Sequence, residues 1–570
     1  MAHKNTKAFY YILAFIYSFQ LNAKQIEVRV SDANSGEPLQ GATVSWEGTN
    51  NGGLTSANGK VVLQKPDSIH HLITSFWGYA TDTTFVSEFA TTVKIRMREA
   101  ESYKLNEVEI ATERNGTTRL RDGAMQVEVV SGSELVRAAC CNLGESFTTN
   151  PSVDVNYNDA ATGARQIKLL GLSGTYVQML TENIPNFRGA ATPYSLGYIP
   201  GPWMQSIQIS KGSATVKNGH ESITGQINVE YLKPQTEEEA NLNLFLNSKM
   251  KVEANADGNI HLNKALSTAV LAHYEDLLMD HDGNDDGFLD MPKSRQWNIM
   301  NRWMYRKRRY IMQSGIKVLG ENRRGGQTNA IAPDSCYKIG IETKRCEFFS
   351  KNAFILDYNL NANIAFIISG SFHKQEAGYG RKNYDVDEGN AYGALLFETE
   401  FSKRHSLSTG YNFMHDDLKQ DFKLRHAADV SQKANEVENT HGIYAQYTFN
   451  HHEKIVVVAG IRGDYSNKFG GFITPRMNVK WNPSQVFSLR LSAGKGYRSP
   501  HALAENNYLL ASSRNIYVAD DLKQEKAWNF GASTMFNIKV HEKDLSINLD
   551  YYYTHFLNQT IIDLDANPHG

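Results

Sequence analysis

The sequence predicts a mostly β chain: a small β-sandwich at the front, a mixed α/β body behind it, and a long antiparallel β-barrel that spans a membrane. Three observations carry this. Beyond residue 236, apolar and polar side chains alternate, as in Leu489-Arg490-Leu491-Ser492, which is the period of strands with two unlike faces. Short polar turns and long polar stretches separate those segments in turn. Mean hydropathy is −0.45 and no run of roughly 18 apolar residues follows position 23, which excludes helical membrane spans but not spanning strands.

The 570 residues exceed one ordinary domain, so roughly two or three units are expected. Its 59 basic and 61 acidic side chains leave a formal net charge of −2 and no global attraction for nucleic acid or acidic partners. Function must therefore lie in local sites.

Residues 1–23 place Lys4 and Lys7 ahead of an apolar stretch, Phe9 to Phe19, and end on the small residue Ala23. That is the plan of an export signal peptide, and it predicts a mature protein from about Lys24. No cysteine stands at the cut, which disfavours a lipid anchor. Export permits disulfides. Of the four cysteines, Cys336 and Cys346 are spaced to close a small surface loop, whereas Cys140-Cys141 reads as buried packing. Neither pair has metal-site spacing.

Residues 24–98 read as short strands with turn signals: Val28, Val30, Ala42 and Val44 alternate with polar neighbours, and Asn58-Gly59 suits a tight hairpin. The order V-x-D, then G-x-P-L-x-G-A-x-V, then T-x-x-x-G resembles the carboxypeptidase regulatory-like domain, a binding or spacer module. It holds no H-E-x-x-H, and His70-His71 lacks a carboxylate at ligand spacing, so both histidines read as surface residues.

Residues 99–118 form a polar connector around Leu105-Asn106-Glu107-Val108-Glu109-Ile110-Ala111-Thr112. A short alternating segment between folded units is either a plain strand or an edge offered to a partner by β-augmentation.

In residues 119–235, Gly171, Gly174, Gly201, Gly212, Gly219 and Gly225 punctuate short strands, with no phosphate-binding glycine loop. The run Q-I-K-L-L-G-L-S-G (166–174), the E-N-I-P turn (182–185) and I-S-K-G-S-A-T-V-K-N-G followed by I-T-G-Q-I-N-V (209–229) resemble the plug domain of TonB-dependent outer-membrane receptors. Front module, connector, plug and barrel occur in that family in this order. The resemblance implies a Gram-negative outer-membrane location, TonB as the energy-transducing partner, and 105–112 as the segment TonB grips.

From 236 to 570 the alternation recurs: Leu545, Ile547, Leu549, Tyr551 and Tyr553 share one face, and Ile443, Ala445, Tyr447 and Phe449 another. A soluble sandwich alternates too. Short turns at 403–405, 450–453 and 482–484 against long stretches at 416–440 and 498–526 instead fit a barrel with periplasmic turns and external loops. Leu489 is expected to face lipid and Arg490 the wet lumen. The basic run 302–310 lies at a turn among Trp297, Trp303, Tyr305 and Tyr310, so lipid head groups explain it better than nucleic acid. Family barrels have roughly 22 strands, whereas about fourteen are counted after the plug; the ring is expected to be incomplete, a fragment or truncated product.

Two loops carry candidate chemistry. Asp282, Asn284, Asp286 and Gly287 follow the D-x-N-x-D-G order of a calcium loop. Lys293 stands where the closing glutamate belongs, which leaves Asp290 to close the loop and Asp280 as an alternate ligand. The bland reading is a solvated acidic loop. In the plug, Arg188, Tyr194, Tyr198 and Trp203 either meet an anionic or planar ligand or pack the plug against the wall. No nucleophile-base or metal-hydrolase set is present, so the protein is read as no enzyme. The resemblance implies uptake of a scarce ligand, a ferric siderophore or other iron chelate first, then cobalamin, haem or a glycan. The rival is a non-transporting adhesin.

Overall fold

The computed structural model describes residues 25–97, 117–234, 240–328, 336–424 and 432–565, apart from short stretches within them. The export-signal and connector readings, 1–23 and 105–112, and Cys140 lie outside the described residues. The chain divides into two compact units, 1–111 and 112–570.

In the first unit, two small sheets face each other. Gln25–Asp32 pairs antiparallel with Lys60–Gln64 and parallel with Thr92–Met97. The second sheet runs Gly52–Leu54, Thr43–Trp46, His71–Ser75, Asp82–Phe85. Alternation sends Ile26, Val28, Val30, Val44, Trp46, Leu72 and Ile95 into one core. The turn at Asn58-Gly59 is not a plain hairpin, because the strands flanking it belong to different sheets. Gly59 sits at φ +69°, and its carbonyl accepts the Val30 N–H at 2.8 Å. A Cβ there would collide with the Val30 carbonyl, so only glycine makes this corner.

The second unit begins with a six-stranded sheet in the order Ile184–Pro185, Val177–Thr181, Gly225–Tyr231, Met204–Lys211, Gln126–Ser131, Thr117–Arg119. A three-stranded sheet (Val153–Asp159, Ala164–Leu169, Leu172–Ser173) and the short helix Gly132–Arg137 complete this body. Gly225–Tyr231 is buried along its whole length, because Val177–Thr181 and Met204–Lys211 pair it on both sides and its Ile227 and Val229 join Ile207, Ile209 and Val130 in one core.

The wall of this unit is a 16-stranded sheet running from Ala240–Leu246 to Lys543–Asn558. Each main strand pairs antiparallel with its neighbour in sequence; the two-residue strand Gln432–Lys433 sits off this path. The sheet does not close: its first and last strands are not paired with each other, and both expose residues on their two faces. Alternation sorts the faces as expected, with Leu489 partly exposed, Leu491 46% exposed on the same face, and Arg490 between them 4%. The expectation that Arg490 faces water is corrected. Arg490, Arg302, Arg462 and Lys480 are all buried, because the plug fills the lumen they point into.

The connections alternate ends. At one end they are short: 308–309, 403–404, 452–454 and 482–486. At the other, 278–292, 327–337, 424–435 and 499–524 are long, beside short turns at 247–250, 380–381 and 467–469. The stretch expected to be irregular from 416 is strand up to Lys423, since Asn383 to Glu400 pairs it to its end. No helix among the described residues is long and apolar enough to cross a membrane.

The cysteine expectation is also corrected. Cys336 and Cys346 are not joined in a disulfide. Cys346 lies within the strand Lys338–Asp357 and Cys336 just before it, ten residues away; an extended chain holds them about 34 Å apart, far beyond disulfide reach.

Candidate functional site

Wall cations hold the plug by capping what its own sheet leaves open. Arg302, on Lys293–Lys307, donates to the carbonyls of Tyr231 at 2.9 Å and Leu232 at 2.7 Å. Lys317 donates to the Tyr198 carbonyl at 2.9 Å, and Arg476 to the carbonyls of Thr215 at 2.7 Å and Ser222 at 3.0 Å. A buried carbonyl without a donor would cost a lost hydrogen bond, so these contacts replace ladder bonds the plug cannot make with itself.

The plug contributes the counter-charge. Glu182, 1% exposed in its side chain, lies 3.0 Å from Arg302 and 3.4 Å from Lys351, and accepts the Tyr231 N–H at 3.0 Å. Burial alone would raise its pKa; Arg302, Lys351 and Lys233 outweigh burial and hold it near 2. Lys211 pairs with Glu128 at 2.8 Å and with Asp550 of the last strand at 3.2 Å. His220 has the opposite fate. Burial pushes it down to about 3, Asp464 at 3.8 Å being offset by Arg462, Arg188 and Arg476, so it is neutral at physiological pH.

At the long-loop end two cavities open over the plug. The larger, about 420 Å³, is lined by Arg165, Tyr176, Arg188, Glu221, Arg498, His501, Glu505 and Glu525 among others. Its cations and carboxylates are matched three to three. The segment after Arg498 folds inward to cover it: the helix Ala502–Glu505 buries Leu503 and Ala504, Ser499 donates to Glu438 at 3.0 Å, and Asn507 accepts the Tyr379 hydroxyl at 3.2 Å. His501 sits 3.4 Å from Glu436. Burial alone would lower the His501 pKa, but Glu436 reverses this and raises it.

The smaller cavity, about 240 Å³, adjoins it at Arg165, Pro193 and Leu196. Arg165, Lys249, Lys251 and Arg323 line it against only Glu145 and Glu275, with Tyr157, Tyr194 and His281 between them. Arg165 lies over the Tyr157 ring at 4.8 Å and Arg323 over Tyr194 at 5.1 Å. Lys251 is paired with Glu253 and Glu275, Arg323 with Glu321 at 2.7 Å and Arg165 with Glu145 at 4.0 Å. What the cavity offers is therefore guanidinium groups lying over aromatic faces rather than a net charge, a lining that suits a planar group.

The four plug residues singled out from sequence part company here. Tyr194 lines the smaller cavity and Arg188 the larger. Arg188 is already neutralised, held by Glu221 at 2.7 Å and by Asp416. Burial would lower its pKa, but those carboxylates outweigh burial and raise it. Tyr198 and Trp203 line neither cavity and are buried in the plug core at 0% and 1% exposure. Arg165, Lys249, Lys251, Arg323 and Arg498 escaped the reading because they come from separate strands and turns. The one signal, for those on strands, was their inward register, which pairing alone reveals; Lys249 lies in a turn.

In the acidic loop, Asp282 accepts the backbone N–H groups of Asp286 at 3.1 Å and Gly287 at 2.9 Å, and Asp290 that of Gly283 at 3.0 Å. Asn284 donates to Asp286 at 2.9 Å, and Asp280 pairs with Lys293 at 2.9 Å. Among the described residues no group of three or more His, Cys, Asp or Glu side chains is arranged to hold a metal ion.

A membrane-type β-wall with a plug in its lumen and cavities above the plug is the architecture of a plugged outer-membrane receptor. Residues 27–110 match the CarboxypepD_reg-like domain, 119–226 the TonB-dependent receptor plug domain, and 318–570 the TonB-dependent receptor-like β-barrel. The chain belongs to the TonB-dependent receptors. Among solved structures, it is similar to the alcaligin outer-membrane receptor FauA of Bordetella pertussis, with TM-score 0.61 and 13% identity over 81% of this chain and 78% of that one. It is also similar to a ferric enterobactin receptor mutant of Pseudomonas aeruginosa (TM-score 0.61, 14% identity, 76% and 71% covered) and to the siderophore receptor PirA of Acinetobacter baumannii (0.58, 13%, 76% and 76%). At such identity these likenesses speak for the fold alone. No curated protein sequence matches the chain.

Proposed function

We propose that this receptor imports an iron chelate, a ferric siderophore in the first instance, and that TonB drives the import by gripping Leu105 to Thr112. The observation that carries this reading is the smaller cavity above the plug, which Arg165, Lys249, Lys251 and Arg323 line together with Tyr157 and Tyr194. Ferric chelates commonly carry flat chelating groups, and such a cavity complements them. Alcaligin and enterobactin are the ligands of similarly folded proteins, and the class is carried over from them as support. A segment that alternates like a strand is a suitable handle, because a second chain can pair along its edge. We further assign Asp282, Asn284, Asp286 and Asp290 to a structural Ca²⁺, on the strength of their order in the sequence.

The test is uptake of ⁵⁵Fe-loaded siderophores by an outer-membrane host lacking its own receptors, with and without residues 105–112. Uptake should disappear in the deletion while surface binding persists. Binding that persists with no uptake in either strain would instead make the protein an adhesin.

A further inference from the structure

We propose that the short-turn end carries a binding site for the phosphate of an anionic phospholipid of the inner leaflet, built on the hairpin that joins Lys293–Lys307 to Tyr310–Gly326. Lys307 pairs with Tyr310, so the turn is only Arg308-Arg309, flanked by Arg306 and Lys307. All four cations are exposed. On the outer wall just inside them lies an aromatic row. The Tyr305 and Tyr310 rings are 5.8 Å apart, Tyr310 stacks on Phe354 at 4.7 Å, and Trp303 stands beside them, partly exposed. Aromatics with cations at their edge mark the level where hydrocarbon gives way to head groups.

Charge points to the occupant. The neighbouring turns contribute a single carboxylate among 260–268 and 355–361, that of Asp357. The opposite end of the wall is the reverse, with Asp280, Asp282, Asp285, Asp286 and Asp290 in one loop. Cations gathered at the end with the short turns face the leaflet on the periplasmic side, where a phosphodiester is the anion at that depth.

The backbone decides which variant tests this. Two-residue hairpins with positive φ at the first central position favour glycine there. Here that position is Arg308, at φ +32°, while Arg309 has the ordinary sign. Asn361, His452 and Glu453 hold positive φ in other short turns of this end, so the angle itself assigns no role; it means that glycine at 308 would remove the charge without straining the turn.

The experiment uses the full chain purified in dodecylmaltoside, titrated with phosphatidylglycerol or with phosphatidylcholine of the same acyl chains and followed by native mass spectrometry. Phosphatidylglycerol should bind at least about tenfold tighter, and each arginine removed should weaken it about fivefold. Arg308→Gly is the decisive variant, because it relieves the backbone while deleting the charge: its unfolding temperature should hold or rise as lipid binding falls. Arg306→Gln with Arg309→Gln should add to the loss, and Tyr310→Ala should weaken both lipids. Equal affinity for the two lipids, or an Arg308→Gly protein that binds phosphatidylglycerol like the parent, would overturn the proposal. So would displacement of the lipid by glycerol phosphate or by a short oligonucleotide at equal concentration, since the anion alone would then be what is recognised.

Discussion

Replacing Glu182 by alanine should loosen the plug far more than any surface change. The carboxylate answers two buried cations, Arg302 at 3.0 Å and Lys351 at 3.4 Å, and one backbone N–H, that of Tyr231. Without it Arg302 keeps its carbonyl acceptors but loses its counter-charge inside the wall. Breaking a buried pair by deleting one partner costs about 3–5 kcal/mol, because the remaining charge cannot regain water. Taking ~4 kcal/mol, opening of the strand Gly225–Tyr231 should become about 10³-fold more frequent. Hydrogen exchange followed by mass spectrometry on peptides from that strand reads this directly, free of the two-state assumption that a two-unit membrane protein violates. Glu182→Ala combined with Arg302→Met should restore part of the protection, since of the two cations that lose this carboxylate only Lys351 then keeps its charge. Protection in Glu182→Ala within tenfold of the parent would refute the view that these ion pairs hold the plug.

Other outcomes follow from the same contacts. His220 is neutral in the fold and has its pKa depressed to about 3, so the unfolded chain binds more protons below about 6.5 and plug stability should fall as pH drops from there; His220→Gln should flatten that slope in urea titrations in detergent. Arg165→Glu or Arg323→Glu should weaken binding of an anionic ferric chelate about tenfold or more by fluorescence quenching, whereas Trp203→Phe should leave affinity unchanged. Leu491→Arg should cost about 2–4 kcal/mol of barrel stability in a refolding assay, because Leu491 is on the lipid face. Calcium titration by calorimetry should give a site lost in Asp282→Asn with Asp286→Asn; heat that is unchanged in the variant would end the calcium assignment.

How far the sequence could be read depended on the range of the signal. Alternation is local, so the outward faces of 442–449 and 545–553 were legible residue by residue, and Leu489 and Arg490 fall on opposite faces as assigned, although Arg490 is buried rather than wet. The plug was legible through short motifs. What those motifs could not show was partnership across the chain. Arg188 looked free for a ligand, yet Glu221 and Asp416 lie 33 and 228 positions away. Tyr198 and Trp203 looked like pocket aromatics because Gly and Pro surround them; those same residues let the backbone fold tightly enough to bury both rings. The loop start at 416 was misplaced because polar residues on a strand that is paired on both sides read as loop when only composition is available.

The inward face of the wall shows why such errors collect at one place. An alternating strand states only that every second residue avoids lipid; it does not say whether that residue meets water, plug or a ligand. Arg302, Arg462 and Arg476 meet plug backbone, while Arg323 lines a cavity. The difference is one of height along the strand and of which plug loop arrives opposite, and both are set by contacts more than a hundred residues apart in some cases, as between Lys317 and Tyr198. Ligand selection can therefore change by moving plug loops against an unchanged wall. A swap of 186–203 between two such receptors should transfer binding preference only if the facing wall cations Arg323, Lys249 and Lys251 are transferred with it.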